Sequence, residues 1–247
     1  MQRSSLHLCC QSLVKLQNVL SARAPCALFI AAALLLVLSS ATSAQSVSDR
    51  HWVTYRQPDG LASNDVFAIV AQDGAVWVAT ANGVSRYNGL WQSYTTMFSQ
   101  TPDGFEQVPF GKVTALALDR REGRLWAGIE TGVVARWQED TGWLVVSSID
   151  AKISSLASSG NTLWIGTDSG LLRLEDGALQ PVSEIGETPI YAIKVLDGFV
   201  WIGAQDALWM MSDNMTAIEE HRPRHQESGA LLNGPFTAIW LQSVNDI

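Results

Sequence analysis

Short apolar runs separated by turn residues recur along the chain from residue 66 onward. The first run, Val66-Phe-Ala-Ile69, returns in altered form in four later segments: Val113-Thr-Ala-Leu116, Ile153-Ser-Ser-Leu156, Ile190-Tyr-Ala-Ile193 and Phe236-Thr-Ala-Ile239. In the first four units a turn and an apolar residue follow, and then a tryptophan: Trp77, Trp126, Trp164 and Trp201, with spacings of 49, 38 and 37 residues. Glycine lies six residues after the first three tryptophans, whereas the fourth unit has Ala207 there.

Each unit divides into four short strands. In the first unit they cover about 66–71, 75–80, 83–88 and 91–96, with the hairpin signals Asp73-Gly74 and Asn88-Gly89 between outer pairs. A repeat of about 40 residues that contains one aromatic residue and one glycine at fixed positions is typical of four-stranded propeller blades. The sequence therefore predicts an all-β propeller with about four complete antiparallel blades and the start of a fifth, in an incomplete ring. Repeats would start near 66, 113, 153, 190 and 236, and 51–55 would be an outer strand.

The repeated tryptophan has a structural explanation. Burying such a ring removes about 150–250 Å² from water, which contributes at most about 4–6 kcal/mol. We expect these residues to fill the space between adjacent blades, as structural core rather than as ligand contacts: Trp77, Trp126, Trp164 and Trp201.

The N-terminal 44 residues differ from the rest. A basic stretch precedes an apolar run from Cys26 to Leu38, and Thr42-Ser43-Ala44 resembles a cleavage site. We interpret 1–44 as a signal peptide, with an uncleaved membrane anchor as the alternative, and 45–247 as a partial propeller. The body would then be periplasmic or otherwise extracytoplasmic.

Composition narrows the chemistry of the body. The bases before residue 45 are Arg3, Lys15 and Arg23, so 24 acids face 13 bases in the remainder, and all 3 Cys lie before it too. This balance argues against nucleic acid, whose phosphates must be neutralised by Lys and Arg. Thiol catalysis and Cys-ligated metals are excluded from the body, and no cofactor or metal motif is evident.

Two segments carry a family resemblance. Val76-Trp-Val-Ala-Thr-Ala-Asn-Gly-Val-Ser-Arg-Tyr87 and Leu163-Trp-Ile-Gly-Thr-Asp-Ser-Gly-Leu-Leu-Arg-Leu174 resemble two-component regulator propeller repeats, and 59–66 resembles their lead-in. The resemblance covers about 51–247. It implies an extracytoplasmic sensor propeller, which in this family precedes a membrane helix and a histidine kinase or diguanylate cyclase. The fifth unit stops one residue before its expected Trp, which we interpret as an interrupted reading frame or a partial sequence.

Strand order assigns the loops to two faces. Tight turns share one face, whereas the middle hairpins and the links between blades, 97–112 and 219–235, share the other. Long loops on a rigid scaffold are where binding residues concentrate, so we predict the ligand site on the second face. The candidate residues are Asn82, Glu130, Asp168, Asp206, Phe98, Phe105, Phe110, Arg222 and Arg224. Ordinary turn chemistry for the polar residues, and plugging of the loop for the three Phe, are the alternatives.

The leading functional hypothesis is the ligand-binding sensor propeller of a signalling receptor, without its transmembrane and output domains and without enzymatic activity. Its partner would be a small extracellular molecule, for which the resemblance suggests a glycan. Membrane contact would occur only through the leader or a missing C-terminal part, and the full-length receptor could form a homodimer. The alternatives are a secreted interaction scaffold and a propeller enzyme similar to streptogramin lyases.

Overall fold

Eighteen β-strands account for the fold in the computed structural model, which describes residues 52–119, 121–205, 207–221 and 235–239. Blade 1 consists of β1 (Val66–Gln72), β2 (Ala75–Thr80), β3 (Gly83–Tyr87) and β4 (Trp91–Tyr94). Blade 2 contains β7 (Val113–Asp119), β8 (Arg124–Ile129), β9 (Val133–Gln138) and β10 (Gly142–Ser148). Blade 3 contains β11 (Ile153–Ser159), β12 (Thr162–Thr167), β13 (Gly170–Glu175) and β14 (Ala178–Pro181). Blade 4 contains β15 (Ile190–Leu196), β16 (Phe199–Ala204), β17 (Leu208–Ser212) and β18 (Ile218–His221).

The four blades are arranged in chain order around a central space. Successive strands pair antiparallel within every blade, and the inner strands β1, β7, β11 and β15 pack in chain order and line one common cavity. Apart from a short 3-10 helix, Gln57–Asp59, the described residues contain no helix. The predicted all-β propeller of four-stranded antiparallel blades is confirmed, and its inner strands begin at the first residues of the predicted repeats.

Small residues on the second strands let neighbouring blades approach closely. A Cβ on Gly128 would lie 2.7 Å from Ile153, and one on Gly166 would lie 2.8 Å from Ile190, the first residues of the next inner strands. Phe236 packs against Gly203 in the same way, and its N–H donates to the carbonyl of Ala204 at 3.1 Å. The fifth repeat thus begins against blade 4 at the position that the earlier repeats predict.

Blade 1 has an uncovered inner strand. Ile69 is 64% exposed, whereas the equivalent Leu116 and Leu156 are 8% and 7% exposed because the preceding blade covers them. Val66, at the start of the same strand, is 44% exposed. Among the described residues nothing takes the place of a preceding blade here, which is the exposure that an incomplete ring predicts.

The repeated tryptophans differ in burial. Trp77, Trp126 and Trp164 are buried, and the guanidinium groups of Arg86 and Arg136 lie over the first two rings at 5.1 and 5.6 Å. Trp201 departs from the expected core position: it is partly exposed and stacks on His221, 6.2 Å between ring centroids. The reason is that no further complete blade covers this side of blade 4 in the described part of the chain.

The link 97–112 is not the loop that the sequence suggested. It forms a hairpin of β5 (Thr96–Thr101) and β6 (Gly104–Pro109), and β5 extends blade 2 by pairing parallel to β10 through Phe98 and Leu144. Pro102-Asp-Gly104 makes the turn, and strand pairing satisfies backbone groups that a loop would leave to water. The predicted outer strand at 51–55 is also wrong over its described part, since residues 52–55 form no strand.

Several predictions lie outside the described residues. These are the leader 1–44, Asp206, Arg222 and Arg224. Residues 54–247 form one compact unit, and of the other unit, 1–53, only Trp52 and Val53 are described.

Candidate functional site

Every inner strand carries a β-bulge at its second residue. The pairing register with the second strand shifts between Val66 and Ala68 in blade 1, and equivalent shifts occur in the other three blades. The bulged residues are Phe67, Thr114, Ser154 and Tyr191. Bulges are common at sheet edges and next to active sites, where they change the direction in which a side chain points. These four positions are therefore candidates for ligand contacts.

The bulged residues of all four blades meet at a pocket of about 480 Å³. Residues just before the inner strands and residues in the middle hairpins complete its wall: Lys112, Lys152, Pro189, Glu130 and Asp168. We call it the bulge pocket. It lies on the face predicted for ligand binding, and its size falls within the roughly 300–1,000 Å³ of small-molecule sites.

Two of the bulged residues hold neighbouring blades together. The Thr114 hydroxyl lies 3.1 Å from the carbonyl oxygen of Gly128 in its own blade and 2.7 Å from that of Ile153 in the next. The Ser154 hydroxyl bridges the carbonyls of Gly166 and Ile190 in the same way. Thr114 and Ser154 therefore build the floor of the pocket, and Phe67 and Tyr191 supply its aromatic groups.

One ion pair lies on the blade 2 side of the bulge pocket. The Lys112 ammonium donates to Glu130 Oε1 at 2.8 Å and also lies 4.8 Å from the centre of the Phe67 ring. The hydrogen bond from Lys112 lowers the pKa of Glu130 below its usual value and outweighs the opposing effect of desolvation, and the positive charges of Lys112 and Lys152 also lower this pKa. Glu130 is therefore ionised at neutral pH.

The blade 3 side is arranged differently. Asp168 Oδ1 accepts the backbone N–H of Lys152 at 3.0 Å, and the Ser169 hydroxyl lies 3.2 Å from the same oxygen. The Lys152 side chain is exposed, and its ammonium forms no ion pair with any described residue. The pocket thus contains one neutralised lysine and one lysine whose charge is available.

Blade 4 contributes an anchored aromatic group. The Tyr191 hydroxyl donates to Gln205 Oε1 at 2.5 Å, which fixes the half-buried ring beside Pro189 and Ile190. An aromatic face held in this way can pack against the C–H groups of a ligand without losing much side-chain entropy on binding.

The predicted site residues are only partly brought together. Glu130 and Asp168 line the bulge pocket, whereas Asn82 does not. Glu130 and Asp168 are the fourth residues after their tryptophans, and Asn82 and Asp206 are the fifth. In all four blades the fourth residue donates its N–H to the carbonyl just before the inner strand: Ala81, Glu130, Asp168 and Gln205.

The structure places the three phenylalanines at two separate positions outside the bulge pocket. Phe110 is 2% exposed and packs against Trp143 with 5.5 Å between ring centroids, because it fills the space between blades 1 and 2. Phe98 and Phe105 lie on the hairpin at the outer edge of blade 2. None of the three lines the bulge pocket.

Four residues that line the bulge pocket were not predicted as site residues, although the sequence contains a signal for them. Lys112 and Lys152 directly precede repeated apolar segments, and Phe67 and Tyr191 are the second residues of such segments. Within each segment this second position is the one that changes most in chemistry, from aromatic to hydroxyl. Alternation alone assigns it to one side of a regular strand, and the bulge that re-aims it is invisible in the sequence pattern.

A second opening lies at the other end of the inner strands. We call it the turn cavity; it has about 710 Å³ and is lined by residues 69–71, 116–119, 156–160 and 193–198. Its buried acid, Asp119, caps a turn by accepting the N–H groups of Arg121 and Glu122, and its other oxygen lies 3.6 Å from Arg124. Arg121 and Asp213 also line this cavity, so its wall combines aliphatic residues of the inner strands with charged residues near the turns: Asp119, Arg121, Lys194, Asp197 and Asp213.

Two features are absent from the part of the chain that the structure describes. No group of three or more His, Cys, Asp or Glu side chains in this part of the chain is placed to hold a metal ion. No helix within the described ranges has the length and apolar character needed to cross a membrane.

Comparison with known proteins places the chain by fold. No protein-family model matches the sequence, and no curated protein matches it. The extracellular domain of the putative one-component system BT4673 from B. thetaiotaomicron is similar in structure, with 18% identity, 73% of this chain and 25% of that chain covered, and a TM-score of 0.51. This chain therefore spans about a quarter of that neighbour's length.

Two further solved structures are similar at lower scores. The computationally designed Ika8 protein has 15% identity over 74% of this chain and 68% of its own, with a TM-score of 0.47. PorZ, a surface component of the type-IX secretion system of Porphyromonas gingivalis, has 14% identity over 64% of this chain and 21% of its own, with a TM-score of 0.44. At 18% identity, the likeness to the extracellular domain of BT4673 shows the fold and nothing finer.

Proposed function

We propose that this chain is a ligand-binding propeller module, and that it binds a small extracellular molecule in the bulge pocket. The observation that carries the proposal is the convergence of bulged residues from all four blades on one pocket with charged residues at its wall. Four independent bulges at one strand position supply side chains of different chemistry to a shared space. A concave site with a few placed polar groups and aromatic faces is the usual form of a small-molecule site.

The cellular setting of the proposal is extracytoplasmic. The apolar run before residue 45, the Cys-free acidic body and the resemblance to two-component regulator propeller repeats support a periplasmic sensor. Within a longer receptor, ligand binding would change blade packing or dimerisation and pass the change to an output domain. The similarity in fold to the extracellular domain of the putative one-component system BT4673 supports this role.

We further propose binding without turnover. The bulge pocket combines an ion pair, a carboxylate held by backbone and hydroxyl groups, a free ammonium and aromatic faces. The described residues of this pocket include no histidine or cysteine that could serve as a base or nucleophile. Such a set can orient a polar ligand, which is what a sensor requires.

The test begins with a thermal-shift screen of the purified chain against extracellular mono- and oligosaccharides and small organic acids. Hits are then titrated by calorimetry into the wild type and a double variant, Glu130→Gln with Asp168→Asn. A matched variant, Asp197→Asn with Asp213→Asn, removes two carboxylates at the turn cavity. We expect the first double variant to lose at least tenfold in affinity and the second to stay within twofold of the wild type.

Two results would contradict the proposed function. One is equal affinity of both double variants, which would move the site away from the bulge pocket. The other is a hit that the wild type converts chemically, which nuclear magnetic resonance of the ligand during the titration would detect.

A further inference from the structure

We propose that the ligand of the bulge pocket is a polyhydroxylated carboxylate the size of one or two sugar rings, with its carboxylate bound by Lys152. This deepens the proposed function, on which it rests, by naming the class of ligand. The inference starts from the different states of the two lysines in the pocket.

Lys112 is already satisfied. Its ammonium donates to Glu130 at 2.8 Å and lies over the Phe67 ring at 4.8 Å, so a ligand anion would have to displace a charged hydrogen bond to use it. Hydrogen bonds between charged groups are the strong ones, and breaking one offsets the gain from a new contact. Lys112 therefore shapes the pocket rather than binding the ligand's charge.

Lys152 occupies the equivalent position in the next blade but is left free. The carboxylate that could neutralise it, Asp168, accepts the backbone N–H of Lys152 instead, at 3.0 Å, and no ion pair joins the two side chains. Lys152 is one of the residues that line the bulge pocket, so its charge is available to a ligand bound there. In a body with 24 acids and 13 bases, a free cation at a central pocket is a feature that selects anions.

The backbone favours a carboxylate over a phosphate. Phosphate sites in proteins commonly use several free N–H groups, but here the N–H groups of Glu130, Asp168 and Gln205 all donate to carbonyls within their own blades, at 2.9, 3.1 and 3.1 Å. A single ammonium beside hairpin amides that are already hydrogen-bonded matches a group with one negative charge. A carboxylate meets that requirement.

The remaining groups indicate the rest of the ligand. Asp168 Oδ2 takes part in no hydrogen bond to a described residue, so it is free to accept one from a ligand hydroxyl. Tyr191, held by Gln205, and the exposed Phe67 offer aromatic faces to the C–H groups of a ring. A hydroxyl-rich ring that carries a carboxylate satisfies all three kinds of contact within about 480 Å³.

The experiment compares D-glucuronate with D-glucose and with inorganic phosphate, using calorimetry or ligand-detected nuclear magnetic resonance on the full chain. Three variants accompany the wild type: Lys152→Gln, Lys152→Arg and Lys194→Gln. Lys194 is an exposed lysine at the turn cavity and serves as the matched control. Circular dichroism and thermal unfolding of each variant establish that the fold is retained.

We expect the wild type to bind glucuronate at least tenfold more tightly than glucose, and phosphate not to displace it at equal concentration. Lys152→Gln should remove this preference and leave glucose binding unchanged, Lys152→Arg should restore most of it, and Lys194→Gln should have no effect. Equal affinity for glucuronate and glucose, no binding of glucuronate, or displacement by phosphate would overturn the ligand class while the proposed function could stand on other hits. Loss of binding in Lys194→Gln but not in Lys152→Gln would overturn both.

Discussion

The bulge pocket and the turn cavity lie at opposite ends of the same four inner strands, yet they offer a ligand very different surfaces. The turn cavity is larger, about 710 Å³ against about 480 Å³, but tight turns close its strands and its buried acid serves a turn. At the other end each strand begins with a bulge, and the hairpin residues Glu130 and Asp168 line the pocket. The comparison indicates that the backbone geometry at the first residues of the inner strands, rather than the volume of a cavity, decides where side chains from several blades can contact one ligand.

The largest expected effect compares one glycine from each end. Gly132, in a middle hairpin at the bulge-pocket end, has φ +91°, and a Cβ there would collide with the carbonyl oxygens of Ile149 and Ala151. Gly177, in a tight turn at the turn-cavity end, has φ +82° and nothing within 4 Å. Gly177→Ala should destabilise by about 1–2 kcal/mol from backbone strain alone, and Gly132→Ala by about 1–3 kcal/mol more from the collision. Urea unfolding of both variants measures the difference, and equal midpoints would contradict the account of the middle hairpins.

The second prediction concerns the hydroxyls that join the blades below the pocket. Thr114→Val should lower the free energy of unfolding by about 1–3 kcal/mol. The reason is that it removes the hydroxyl between the carbonyl oxygens of Gly128 and Ile153 and leaves both without this donor. Thr162→Val, at the other end of blade 3, is the control and should change stability by less than about 0.5 kcal/mol. Chemical denaturation measures the free energy of unfolding of both variants. An effect of Thr114→Val as small as that of Thr162→Val would mean that the hydroxyl bridge does not hold the blades together.

The fold was more accessible from the sequence than the site. The repeated apolar segments located all four inner strands, since burial between blades demands apolar residues at fixed positions such as Val113 and Ile153. The site depends on a one-residue shift of register, which turns Phe67 and Tyr191 toward the pocket and leaves the pattern of apolar residues unchanged. Long-range contacts decided other details: β5 joins blade 2 from its outer edge, and Phe110 fills the space between blades.

The third prediction uses pH to separate the charges of the pocket. Lys112 holds the pKa of Glu130 below its ordinary value, so the pair stabilises the fold above the ordinary carboxyl pKa and loses this contribution as pH falls through the lowered pKa. The stability difference between the wild type and Glu130→Gln should therefore be constant from pH 7 to about pH 5 and shrink only in more acidic solution.

Carbon-detected titration of the Glu130 carboxyl provides the direct readout. In Lys112→Gln the pKa of Glu130 should move back toward its ordinary value, because the hydrogen bond that lowers it is gone. An unchanged titration in this variant would show that another group controls Glu130.

The smallest expected effect lies at the turn cavity. Lys194→Gln changes an exposed side chain that forms no ion pair among the described residues, so its stability should stay within about 0.5 kcal/mol of the wild type. Thermal unfolding of this variant and of the wild type, each with and without a ligand found in the screen, measures how much the ligand stabilises each protein. A loss of ligand stabilisation in this variant would indicate that the turn cavity takes part in binding.

The most direct measurement of the central claim is a map of backbone amide shifts while a confirmed ligand is titrated into the labelled chain. The account predicts that the shifts concentrate at the starts of the inner strands and the middle hairpins, on Lys112, Glu130, Lys152 and Tyr191. Amides at the opposite strand ends, such as those of Ser158 and Asp197, should remain unchanged. Shifts concentrated on this second group, with the first group unaffected, would contradict the assignment of binding to the bulge pocket.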